Sequence, residues 1–195
     1  MKKSLWILSL LFLSLGAAAA FAQTEPPLTA SPAPSPTGRA IDAWVTNTEK
    51  HLVPVAEVMP ENKYSFSPTG GEFKGVRTFA EQLKHLAANN YAVSAHILGE
   101  KPAPDQAAES GPESVTTKAQ ILDYLKGSFA ALHRAVATID ATNAAETVPG
   151  AKANIVASRL ALAIDAIAHS FDHYGQLVEY LRMNGIVPPD SVPRH

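Results

Sequence analysis

Thr78 stands three residues before Glu81, and Thr117 stands three residues before Gln120. In this pattern the threonine hydroxyl accepts from the backbone N–H three residues on, and the Glu or Gln side chain reaches back to the threonine N–H, so each pair marks the start of a helix. Behind each pair apolar residues recur every three or four positions, the period of one helix face. Phe79, Leu83, Leu86, Ala87 and Val93 follow the first pair and predict a helix to about Leu98, stopped by Gly99. Ile121, Leu122, Leu125, Phe129, Leu132, Val136 and Ile139 follow the second and predict a helix ending near Ala141. Two such amphipathic helices need further apolar faces to cover them.

The chain supplies two more. Ile41, Trp44, Val45, Leu52, Val55, Ala56 and Met59 predict a helix from about Ala40 to Val58, with Pro54 expected to kink it or split it near Lys50 to Val53. Ile155, Leu160, Leu162, Ile164, Ile167, Leu177, Val178 and Leu181 predict a last helix that starts between Lys152 and Ser158 and ends at Asn184-Gly185, ahead of Pro188-Pro189. Tyr64 and Phe66, in the polar connection after Pro60, are expected to fold back onto the helices, with a strand pair there as the alternative. From Gly99 to Thr116 runs a connection of about 18 residues, long for a compact domain and sufficient for a crossover. The expected fold is all-α, a four-helix bundle.

At the N-terminus, Met1-Lys2-Lys3 precedes an apolar run from Leu5 to Leu15 and then Ala20-Phe21-Ala22, the form of a signal peptide cleaved after Ala22. The run is shorter than the roughly 20 residues that span a bilayer. The expected organisation is a signal peptide over 1–22, a Pro/Ser/Ala-rich flexible linker over 23–38 and a bundle over 39–195, with export to the periplasm or the medium and no membrane anchor after cleavage. The chain has no cysteine, which excludes disulfides, thiolate ligands and cysteine nucleophiles. Without Lys2 and Lys3 there are 14 basic against 18 acidic residues, a net charge near -4, and nothing points to a nucleic-acid partner.

Chemistry is concentrated in the histidines. His169 and His173 are four residues apart, about 40° around a helix and about 6 Å along it, so both rings can converge on one ion. Their neighbours Ala161, Ile164, Ala168 and Leu177 are apolar, which sets the pair at or near the bundle interior, where neutral polar side chains need partners. Asp165, one turn before His169, is expected to orient that ring from its second nitrogen. His85, flanked by Leu83, Leu86 and Ala87, is the leading third ligand, and Asn89 lies one turn further on its face. His96 is about 16 Å beyond His85, too far to share the ion, and serves as a fallback. His51, His133 and His195 read as structural or solvated. Core histidines bonded to carbonyls, with no metal, remain the alternative.

The phrases Met59-Pro60-Glu61, Tyr64-Ser65-Phe66-Ser67-Pro68, Arg77-Thr78-Phe79 through Leu83-Lys84-His85-Leu86-Ala87, His169 to Gln176, and Tyr180 to Pro189 together resemble the DinB family of metal-dependent helical bundles. The resemblance covers roughly Trp44 to Pro189. It implies an up-down-down-up bundle and a divalent ion, zinc or nickel most of all, held by one histidine of the second helix and two of the fourth, here His85, His169 and His173. Relatives of this kind include enzymes that join low-molecular-weight thiols to electrophiles, and the same superfamily holds a mycothiol-dependent isomerase. The expectation is therefore a metal-dependent transferase or hydrolase that activates a thiol or water at an open three-histidine site, with Asp165 holding a ligand ring from behind and Asn89, Gln176 or Tyr174 touching the substrate. Its partner would be a small molecule, a thiol or an electrophile, and a homodimer is compatible with such a domain. A non-enzymatic, stress-associated module with a structural metal or none is the competing reading.

Overall fold

The structure is a computed structural model that describes residues 33–105, 108–148 and 157–191. The expected signal peptide, the linker up to residue 32 and His195 lie outside these. Among the described residues there are four helices, α1 Pro36–Val58, α2 Phe79–Leu98, α3 Lys118–Val136 and α4 Arg159–Met183, with single 3-10 turns at Glu61–Lys63 and Pro189–Ser191. Among the described residues there is no strand, only an isolated bridge between Thr147 and Ser158. No helix there is long and apolar enough to cross a membrane.

Both capping boxes form. Thr78 Oγ1 accepts from Glu81 N at 3.2 Å while Glu81 Oε2 accepts from Thr78 N at 2.7 Å. Thr117 and Gln120 repeat this at 3.3 and 3.0 Å. Gly99 closes α2 in the left-handed region, φ 74°, and Gly185 follows α4 at φ 71°, where a residue with a Cβ would be strained.

Three boundaries depart from the sequence expectation. The first helix begins at Pro36 rather than Ala40, so residues 33–38, assigned to the linker, belong to the fold. Ser35 caps it, accepting from Gly38 N at 2.9 Å and donating to Ile139 O at 2.6 Å, and proline suits the first helical position. Gly38 permits this approach, since a Cβ there would lie 3.0 Å from the carbonyl oxygens of Val136 and Ile139. α1 also runs unbroken through Pro54 rather than splitting. α3 stops at Val136 rather than Ala141, because Asp140 Oδ1 accepts from Thr142 N and Asn143 N and turns the chain into an Asx-type loop. Ile139 is nevertheless fully buried. The start of α4 at Arg159, capped by Ser158, falls just past the expected window.

The helix order follows from a few contacts. Lys118 Nζ, at the start of α3, reaches the carbonyls of Glu57 and Met59 at the end of α1. The start of α2 meets the same end, since Phe79 N and Ala80 N donate to Phe66 O and Tyr64 O and the Tyr64 hydroxyl donates to Ala56 O. Tyr180, near the end of α4, packs edge-on against Phe66. One end of the bundle therefore holds the C-termini of α1 and α4 and the N-termini of α2 and α3, which is the up-down-down-up arrangement. α1 packs on α3, α3 on α2, α2 on α4 and α4 on α1, around Val45, Leu52, Leu83, Leu86, Leu125, Phe129, Leu132, Leu177 and Leu181, all fully buried. Each such side chain contributes about 1.5–3 kcal/mol relative to leaving it in water. Trp44 and Ile164, read as part of the apolar stripes, are instead more than half exposed.

Candidate metal centre

α2 and α4 run antiparallel, pairing Gln82 with His173 near one end of their seam and Ile97 with Arg159 near the other. On this seam His85 meets both histidines of α4. His85 Nε2 lies 3.2 Å from His169 Nε2, which lies 3.0 Å from His173 Nε2. The rings stand steeply to one another, with centroids 4.6 to 5.2 Å apart. The three form a group able to hold a metal ion. Tetrahedral ligands at zinc–nitrogen distances near 2 Å are separated by about 3.3 Å, close to the spacings seen here. His173 is buried and the other two are half-buried, so the group sits at the edge of the core, not at its centre.

The far sides of two rings determine what the near sides can do. His85 Nδ1 is 2.8 Å from the carbonyl oxygen of Glu109, an acceptor only, so Nδ1 carries the proton. His173 Nδ1 is 2.9 Å from Gln82 Oε1. The Gln82 side chain interacts in its turn with Tyr180, whose hydroxyl donates to Arg77 O at 2.9 Å. With Nδ1 protonated on both rings, His85 and His173 turn bare Nε2 lone pairs toward His169. A single N–H on His169 Nε2 cannot serve both, whereas a cation satisfies all three, so the donor set fits a divalent ion. Burial, and after it His169 and His85, push the His173 pKa down to about 4, which keeps that ring neutral and able to ligate at pH 7.

The other expected residues are distributed unevenly. Asp165 is half-buried one turn before His169, and Asn89 is half-buried one turn after His85, so the antiparallel register sets both on the same side of the histidines. The Asn89 amide nitrogen is buried with no hydrogen-bond partner among the described residues. Gln176 is exposed and donates to Asp172 at 2.9 Å, and the Tyr174 hydroxyl donates to Asp190 at 2.7 Å beside His51. Both are therefore engaged away from the three rings. His96 is not a member of the three-histidine group.

Two positions escaped the sequence reading. Gln82 is a polar residue in the apolar stripe of α2, three after Phe79 and four before Leu86, and this mismatch was a usable signal. Glu109 acts through its backbone from the long connection, for which its side-chain type gives no sign.

No curated protein matches the chain. The family model described as the DinB superfamily matches residues 45–177, a span that includes His85, His169 and His173, and the chain belongs to the DinB superfamily.

Proposed function

We propose that the protein is an exported, divalent-metal-binding member of this superfamily, acting in the periplasm or medium as a metal-dependent transferase or hydrolase on a small molecule. The observation that carries the reading is the convergence of three Nε2 atoms at 3.0 and 3.2 Å, with the Nδ1 atoms of two rings committed to oxygen acceptors behind them. A divalent ion such as zinc or nickel, held by three imidazoles with a further position open, supplies Lewis acidity and lowers the pKa of a water or thiol that reaches it. The protein's own part is to keep His173 neutral by burial, to aim His85 and His173 through Glu109 and Gln82, and to leave the seam open beside His85 and His169. Asp165 is the residue proposed to orient His169, and Asn89, with an unused amide donor, to receive an acceptor atom of the substrate.

The purified protein supplied with zinc or nickel should retain about one ion per chain after dialysis, by elemental analysis. His169→Ala and His173→Ala should each remove it, and full retention by both variants would sink the assignment.

The ligands come from two helices, which also favours a purely structural metal stapling α2 to α4. That reading expects a large fall in melting temperature on chelation and no turnover of thiol–electrophile or ester substrates. Loss of an activity with little change in melting temperature favours the enzyme.

A further inference from the structure

Two of the three histidines are linked, by separate chains of contacts, to one residue outside the helices. Arg77 immediately precedes the capping residue Thr78. Its guanidinium meets Glu109, Nη2 to Oε1 at 2.7 Å, and the carbonyl of the same Glu109 accepts from His85 Nδ1 at 2.8 Å. Its own carbonyl accepts from the Tyr180 hydroxyl at 2.9 Å, the Tyr180 side chain interacts with that of Gln82, and Gln82 accepts from His173 Nδ1 at 2.9 Å.

We infer that Arg77 is a positioning residue for the three-histidine site, holding His85 in its Nδ1–H tautomer through Glu109 and His173 in the same tautomer through Tyr180 and Gln82. A neutral imidazole can carry its proton on either nitrogen, and only the Nδ1–H form leaves Nε2 free to ligate. The long connection thereby becomes part of the site. Its turn from Ala108 to Gly111, closed by Gly111 N donating to Ala108 O at 2.7 Å, sits against Lys84 and Tyr124. Gly111 has φ 67°, and a Cβ on it would approach Lys84 Cβ to 3.1 Å and Tyr124 Cε1 to 3.2 Å. The turn can lie close enough to present the Glu109 carbonyl because residue 111 has no side chain. The Arg77–Glu109 pair is too exposed to add much to stability, so its effect should appear in ring orientation and not in melting temperature.

The consequence for metal affinity rests on the metal-site reading, but the tautomers belong to the protein itself and are read without metal. Long-range proton–nitrogen NMR spectra of the zinc-free protein report which nitrogen of each ring is protonated, and chelator competition reports zinc affinity. In the unaltered protein both rings should be Nδ1–H. Arg77→Ala should let His85 populate the Nε2–H form, leave His173 unchanged and weaken zinc about threefold to tenfold, less than the roughly 10–100-fold loss when a ligand's direct partner is removed. Arg77→Lys, which can still meet Glu109, should restore much of both. Tyr180→Phe should act on His173 and spare His85. Wild-type tautomers and zinc affinity in Arg77→Ala would overturn the inference while leaving the metal reading intact. Tautomers that respond as stated in a protein that takes up no zinc would support the positioning role and overturn the metal reading.

Discussion

Histidines occupy two opposite seams of the bundle, and their surroundings drive them in opposite directions. On the α1–α3 seam His133 lies between two carboxylates, Nδ1 2.5 Å from Asp42 and Nε2 3.2 Å from Glu49. Burial works against its protonation, but the hydrogen bonds and charges of Asp42 and Glu49 outweigh it, and the net shift is upward. In the protonated form that this favours, both nitrogens are donors and no lone pair remains for a metal. On the α2–α4 seam the rings face one another, their outer partners are a carbonyl and an amide, and His173 is driven toward the neutral form. The same side chain is drawn toward the cation in one place and toward a neutral ligand in the other, and the difference lies in whether its acceptors are charged.

The comparison is broken most sharply at Gln82. Gln82→Leu keeps the volume of the side chain but removes the acceptor that aims His173, and should weaken zinc about 10–100-fold, roughly 1.4–2.7 kcal/mol. Glu49→Gln, which touches the other histidine, should leave zinc affinity within twofold, about the scatter of such a measurement. Equal losses in both variants, by chelator competition at pH 7.5, would mean that the seams do not act separately.

What the sequence made legible follows from how local each signal is. Thr78–Glu81, Thr117–Gln120, Gly99 and Gly185 set helix ends by bonds or φ values within a few residues, and the structure places them as read. The start of α1 is not legible in the sequence because it depends on the far end of α3, through Ser35, Gly38 and Ile139, and the end of α3 is set by the hydrogen bonds of Asp140, which a helical period does not show. His169 and His173 could be paired from their spacing, because one helix turn fixes their separation. His85 stands out as a third ligand by its apolar flanks on α2, and the family resemblance adds the match to His169 and His173, since nothing local relates residue 85 to residue 169. The Arg77–Glu109 contact has neither a spacing nor a motif behind it.

Acid should separate the seams next. An ordinary histidine titrates near 6.5, and His173 in the folded protein near 4. Between these values the unfolded chain takes up a proton that the native state refuses, so this site's contribution is present above pH 6.5 and is lost as pH falls toward 4. For the metal-free protein this corresponds to about 2 kcal/mol between pH 8 and pH 5. Urea unfolding at a series of pH values should show the loss in the wild type and a smaller one in His173→Gln. An identical acid limb in the two proteins would remove His173 as its source. Zinc should shift the midpoint toward lower pH, because protons and the ion compete for the same nitrogens.

The smallest effect belongs to His133 and has the opposite sign. Its folded pKa is raised, so the native state holds a proton that the unfolded chain releases first as pH climbs. The stabilisation from Asp42 and Glu49 is fully present below about 6.5 and lost as pH rises through the higher folded value. The pair is partly open to solvent, with His133 28% and Asp42 39% exposed, so screening should keep the effect to about 1 kcal/mol or less. His133→Gln retains a donor but cannot carry the charge. The stability difference between wild type and this variant should therefore be greatest near pH 6 and shrink by pH 9, and more so at low salt. A difference that stays constant over that range would mean that His133 acts by packing alone, and the contrast in charge between the two seams would reduce to the neutral, metal-facing side.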